Sequence, residues 1–122
     1  MAKVAGGISV HAVDVAAGLP AAGLRVGLWR ITENGREVIA EGACSAAGVL
    51  DHPVAHGTGV TAGIYEADFH IAEFYRAKGA KLPDPAFLDV ATYRFGIAAA
   101  EQHFHLPLKF TAWGYSLFRG GL

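Results

Sequence analysis

The sequence predicts an all-β domain, a sandwich or barrel of about eight short strands with a single short helix. Three observations predict it. Most of the chain falls into short runs that alternate apolar and polar side chains, the period of a half-buried strand. Gly, Pro and Asn punctuate those runs at close intervals. Only one segment, Ala72 to Gly79 (AEFYRAKG), favours a helix over a strand.

In chain order, Ile8 to Asp14 reads as the first strand, ended by the Ala-Ala-Gly-Leu-Pro run at 16–20. Leu24 to Ile31 follows, with Leu24, Val26 and Leu28 set against Arg25 and Arg30. Glu33-Asn34-Gly35-Arg36 is a turn of the Asn-Gly kind, so Glu37 to Cys44 is expected to pair back as a hairpin. A shorter strand is expected between Ala47-Gly48 and His52-Pro53. Gly63 to Ile71 alternates again, with Tyr65, Ala67, Phe69 and Ile71 opposite Ile64, Glu66, Asp68 and His70. The helix at Ala72–Gly79 has helix-forming residues, Lys78 near its end and a glycine stop. Pro83 and Pro85 break the chain before a strand from Phe87 to Ile97. His103–Thr111 and Tyr115–Phe118 are the last two strands, joined at Trp113-Gly114. With 122 residues and no repeat or linker, residues 1–122 read as one domain, large enough for a core without disulfide or metal staples.

Composition narrows the function. Hydrophobic residues make up 52% of the chain and charged residues 17%, an apolar balance that implies cover from another subunit. The net charge is −1 and Lys and Arg are not clustered, which argues against nucleic acid as a partner. Cys44 is the one cysteine, so no internal disulfide forms. The N-terminal run lacks the continuous apolar core of a signal peptide. Nothing approaches the ~20 apolar residues of a membrane span. A cytoplasmic protein, away from membranes, is the expectation.

The six histidines carry most of the chemical information. His103 and His105 are two apart on a strand and face the same side. That spacing permits a metal pair, with His52 and His56 as candidates to complete it, but no His-x-x-Glu or Cys-x-x-Cys spacing supports it, and the expectation is no metal. His11 lies mid-strand in an apolar run. Its plain reading is a core histidine satisfied by backbone; the sharper one is a general base facing a pocket. Ser45, Ser116 and Cys44 lie in no nucleophile motif, and no glycine pattern cradles phosphate.

Two longer motifs add a family resemblance. Ser9-Val10-His11-Ala12-Val13-Asp14 with Gly18-Leu19-Pro20-Ala21-Ala22 resembles the N-terminal motif of transthyretin-like proteins, specifically the 5-hydroxyisourate hydrolases: Ser/Thr-x-His-x-Leu-(Asp/Asn), then Gly-x-Pro-Ala. His103-Phe104-His105-Leu106-Pro107-Leu108-Lys109-Phe110-Thr111 and Gly114-Tyr115-Ser116-Leu117-Phe118-Arg119-Gly120-Gly121 are similar to their C-terminal signature, His-Tyr-His-(Val/Ile)-Pro-Leu-Leu-Leu-Ser followed by Gly-Tyr-Ser-Thr-Tyr-Arg-Gly-Ser. The resemblance implies a two-sheet β-sandwich with one short helix. It also implies a D2 homotetramer with sites in the channel between dimers, and hydrolysis of a strained cyclic amide with neither metal nor organic cofactor.

His11 and His105 match catalytic positions of that family. The sequence departs from it at three others: Val49 stands where the family has arginine, Phe118 where it has tyrosine and Gly121 where it has serine, with Leu122 added beyond. All three changes remove polarity. The expected catalytic pair is therefore His11 and His105, with Val49, His103, Phe118, Arg119 and Gly121 around the substrate. An N-methylated 5-hydroxyisourate, as formed in methylxanthine breakdown, suits such a site; the alternatives are an ordinary 5-hydroxyisourate hydrolase and a non-catalytic binding protein of the transthyretin type.

Overall fold

Two four-stranded sheets pack face to face in the structure, a computed structural model that describes residues 4–121. The first contains β1 (Ile8–Asp14), β2 (Leu19–Pro20), β7 (Phe104–Thr111) and β8 (Gly114–Leu117), in the order β2-β1-β7-β8. The second contains β3 (Arg25–Thr32), β4 (Gly35–Ala43), β5 (Gly63–His70) and β6 (Val90–Ile97), in the order β4-β3-β5-β6. All named pairs are antiparallel except β1 with β7, which run parallel in register from Ile8↔Phe104 to Asp14↔Phe110.

Strict alternation along β1 and β7 supplies one half of the core. From β1, Ile8, Val10 and Ala12 point inward, and from β7 so do Phe104, Leu106, Leu108 and Phe110. Val26 and Leu28 of β3 and Tyr65, Ala67 and Phe69 of β5 meet them from the other sheet. Each fully buried aliphatic or aromatic side chain of this kind contributes about 1.5–3 kcal/mol. Because the period is 2, the same alternation turns Ser9, His11 and His105 onto the outer face of the first sheet. The core reading of His11 is thereby corrected: its neighbours Val10 and Ala12 take the inward positions.

Helix α1 (Ile71–Ala77) starts directly from β5, one residue earlier than the sequence suggests. Its buried face of Ile71, Ala72, Phe74 and Tyr75 packs on the sandwich, with Phe74, Tyr75 and Phe110 in edge-to-face contact. The Tyr75 hydroxyl donates to the buried carboxylate of Asp14 at 2.6 Å, tying the helix to the end of β1.

Three further boundaries differ from expectation, each for a pairing reason. Residues 49–51 form no strand; Val49 makes a single antiparallel bridge to His11, because β2 takes the same edge of β1 from Val13 onward and Pro53 opens a 3-10 turn (Pro53–His56) just beyond. The second strand on that edge is instead Leu19–Pro20, a stretch that reads locally as a turn. Residues 87–89 lie outside β6 because β5 ends at His70, the partner of Val90, and has no residue left to pair with them.

Candidate active site

The first sheet's outer face is built from the middle of β1 and the start of β7. Parallel registry sets Ser9 beside His105 and His11 beside Pro107. On the opposite edge of β1, Val49 bridges to His11, held by hydrogen bonds from Ala12 N to Gly48 O at 2.8 Å and from Leu50 N to Val10 O at 3.2 Å. Gly48 itself has φ +78, and a side chain there would meet the Ala12 carbonyl at 2.4 Å, so this close approach requires glycine.

Three side chains form one hydrogen-bonded group. Ser9 Oγ lies 2.7 Å from His103 Nε2 and 2.7 Å from His105 Nδ1. His103 Nδ1 in turn meets the Gly6 carbonyl at 2.6 Å. Burial, followed by the nearby His103 and His11 imidazoles, lowers the pKa of His105 below the ordinary imidazole value. A neutral imidazole half-exposed on a sheet face is chemically suited to general-base work.

The segment after β8 folds back across this group. Gly120 N donates to His105 O at 2.7 Å. The Arg119 guanidinium donates to Gln102 Oε1 at 3.1 Å and to His103 O at 3.3 Å, and it lies 4.2 Å from the centre of the Phe104 ring. These contacts anchor the tail. Phe118 and Val49 remain exposed, at 50% and 37%, and nothing lies within 4 Å of where a Gly121 side chain would begin. Leu122 lies outside the described residues.

His52 and His56 do not join His103 and His105. His52 Nδ1 accepts from Val54 N at 3.0 Å and caps the 3-10 turn, which His56 ends. Among the described residues no group of three or more His, Cys, Asp and Glu side chains could hold a metal ion. A cleft of about 550 Å³ opens on the outer face of the other sheet, lined by Arg25, Trp29, Arg36, Glu41, Asp68 and His70 among others. Its guanidinium groups are paired: Arg36 with Glu66 and Asp68, and Arg25 with Glu73.

Sequence reasoning overlooked Ser9 and Gly6. The available signal was parity: Ser9 and His11 share a strand face, as do His103 and His105, and the Ser/Thr of the N-terminal motif stands at the first of these positions. Lys109 also lies on the outer face of β7, four residues beyond His105.

Comparison with known proteins agrees with this architecture. A profile of the HIUase/Transthyretin family matches residues 8–120. The 5-hydroxyisourate hydrolase of Ralstonia nicotianae is 44% identical over 115 residues, covering 94% of this chain and 98% of that one. The 5-hydroxyisourate hydrolase 2 of Rhizobium meliloti is 42% identical, with 94% and 96% coverage. Among solved structures, (S)-allantoin synthase superposes with a TM-score of 0.87 at 30% identity; 98% of this chain matches 45% of that longer one. The Klebsiella pneumoniae 5-hydroxyisourate hydrolase gives 0.76 at 27% identity, covering 93% of this chain and 97% of that one. Transthyretin from Sparus aurata gives 0.81 at 22% identity, over 94% and 97%, a likeness of fold.

The chain belongs to the HIUase/Transthyretin family. Within it, the relatives at 42–44% identity are named 5-hydroxyisourate hydrolases, and the chain is a hydrolase.

Proposed function

We propose that the protein opens a 5-hydroxyisourate-type cyclic amide by hydrolysis, in urate or purine catabolism. The observation that carries this reading is the retention of His11 and His105 on one sheet face, in a chain closely similar to named 5-hydroxyisourate hydrolases. In the proposed reaction a water gives a proton to His105 while its oxygen bonds to a ring carbonyl carbon. The carbon–nitrogen bond then breaks, and the departing nitrogen takes the proton. His11 holds the water or the carbonyl oxygen. Acid–base assistance of this kind contributes about 10²–10⁴-fold, and no metal or cofactor is required by it.

The finer part of the proposal concerns the substrate. A guanidinium is the natural partner of an anionic oxypurine, and Val49 stands beside His11 where the resemblance leads one to expect it. N-methylation removes the acidic ring protons and with them the need for a counter-charge. Val49 and Phe118 supply exposed apolar surface, and Gly121 leaves room. Burying a methyl group contributes about 0.8 kcal/mol, or about fourfold in kcat/KM. We therefore infer an N-methylated 5-hydroxyisourate as the preferred substrate. His103, with both ring nitrogens engaged within the chain, supports the site; Arg119, held through Nη2 alone, stands at the substrate's edge.

The exposed Val49 and Phe118 further support a homotetramer with this face buried between dimers, which light scattering at working concentration would detect as four chains. The test of function is steady-state kinetics with freshly generated 5-hydroxyisourate and its trimethylated form. Higher kcat/KM on the methylated compound is expected. A clear preference for the unmethylated one restores the ordinary hydrolase, which the names of the relatives favour. Activity on neither sinks both.

A further inference from the structure

The hydrogen bonds through Ser9 have only one consistent direction when both imidazoles are neutral. The Gly6 carbonyl can only accept, so His103 carries its proton on Nδ1, 2.6 Å away. Neutral His103 then presents a lone pair at Nε2 and takes the single hydroxyl proton of Ser9 at 2.7 Å. Having donated that proton, Ser9 Oγ accepts, and the group facing it at 2.7 Å is His105 Nδ1, which must therefore be an N–H. What remains is a lone pair on His105 Nε2, at the far end of the ring from Ser9.

The origin of this chain is rigid. Gly6 N donates to Ala100 O at 2.8 Å, and a side chain on Gly6 would begin 2.3 Å from the Gln102 carbonyl carbon. Only glycine allows the carbonyl to sit where it meets His103. At the other end, the hydrogen bond from Gly120 N to His105 O fixes the backbone that carries the second imidazole.

We propose that Ser9 and His103 are positioning residues that hold His105 as its Nδ1–H tautomer, so that Nε2 is the atom that accepts the proton of the attacking water. The inference rests on the hydrolase reading and assigns the roles within it. The arrangement does what the carboxylate does for the histidine of a serine-protease triad, fixing tautomer and ring orientation. It does so without a negative charge. A carboxylate raises the basicity of its histidine; a serine–histidine chain orients His105 and leaves it neutral. When Nε2 takes a proton, the Nδ1–H still donates to Ser9, so the chain needs no rearrangement during the reaction.

The experiment compares wild type with Ser9→Thr and Ser9→Val, two side chains of nearly equal size of which only threonine keeps the hydroxyl. Nitrogen-15 NMR of the imidazoles, above the titration range of the histidines, reads the tautomer without substrate. Wild type and Ser9→Thr are expected to show His105 as Nδ1–H, and Ser9→Val to lose that state. In kcat, Ser9→Val is expected to fall by roughly ten- to a hundredfold, the size of effect seen when a metal-bound histidine loses its orienting partner, with KM little changed; Ser9→Thr is expected to retain wild-type kcat within a few fold. His103→Phe should shift the tautomer as Ser9→Val does. An Nε2–H tautomer in wild type, or a Ser9→Val variant that matches Ser9→Thr in both readouts, would overturn the proposal. Wild type that shows the Nδ1–H tautomer, lost in Ser9→Val, yet hydrolyses neither substrate would leave the relay standing and remove the hydrolase reading instead.

Discussion

Gly120 lies against the imidazole edge of His105: its amide donates to the His105 carbonyl at 2.7 Å, and a Cβ there would stand 2.8 Å from His105 Cδ2. The same Cβ would meet the His105 carbonyl and Pro107 Cδ, each at 3.3 Å. Gly120→Ala must therefore push the ring aside or lift the tail. Displacing a reacting group by about 1 Å can cost 10²-fold in rate. The expected outcome is a loss of kcat approaching that size with the thermal midpoint nearly unchanged, read from initial rates and calorimetry. Wild-type kcat in Gly120→Ala would show that the tail does not position the histidine.

Both histidines are expected to make large contributions. His105→Ala removes the proposed base, and a fall in kcat of about 10²–10⁴-fold is expected. His11→Ala is expected to fall within the same range. Both positions face outward, so urea midpoints are expected to stay close to wild type. Ring opening at the wild-type rate in both variants would place the chemistry elsewhere.

Acid should switch the enzyme off below the ordinary imidazole range. The pKa of His105 is lowered, first by burial and then by His103 and His11; Ser9 from β1 and Gly120 from the tail also face its ring. The acid limb of kcat/KM is thus expected below 6.5, the ordinary histidine value. Stability follows the same sign. The unfolded chain takes up this proton at higher pH than the folded one, so the contribution is full above the unfolded pKa and declines as pH falls toward the folded value. A pH–rate profile with its acid limb at or above 6.5 would contradict the assignment.

Val49→Arg tests the substrate reading directly. The side chain is exposed and the backbone bridge to His11 is unaffected by its identity, so stability should change by no more than about 0.5 kcal/mol. Turnover of 5-hydroxyisourate is expected to rise and that of the methylated compound to fall, reversing the ratio of kcat/KM. An unchanged ratio would show that residue 49 does not select the substrate.

Tyr75→Phe probes a contact remote from the site. Losing the hydroxyl removes the 2.6 Å partner of a carboxylate that is 2% exposed. A cost of about 1–3 kcal/mol is expected, seen as a lower urea midpoint at constant slope, with kcat unchanged. No shift in the midpoint would mean that Asp14 finds another partner.

Local physics made most of this fold legible in the sequence. Alternation in LRVGLWRI and GIYEADFHI identifies inward residues correctly, and Asn34-Gly35 does turn β3 into β4. What escaped was set by distant pairing. Leu19–Pro20 is a strand only because β1 offers an edge there, and 49–51 is not one because that edge is already occupied. His11 shows the same limit at the site: its parity is visible, but whether that parity means core or surface depends on which of its neighbours the second sheet covers. Ser9 was harder still. A hydroxyl between two histidines emerges only from the parallel pairing of β1 with β7, for which no turn or spacing in the intervening chain gives a sign.

That pairing also governs how the protein comes into existence. Ser9 and His105 are 96 residues apart in the chain, and at about 5–20 residues per second of synthesis the first strand waits several seconds for its neighbour. During that interval β1 is an apolar ribbon with an open edge, the kind of segment that chaperones shield and that associates wrongly when they do not. Parallel contacts of such long range also fold slowly. Enzymatic competence is therefore among the last properties the nascent chain acquires, and recovery of activity on refolding should report completion of the whole sandwich rather than of any part of it.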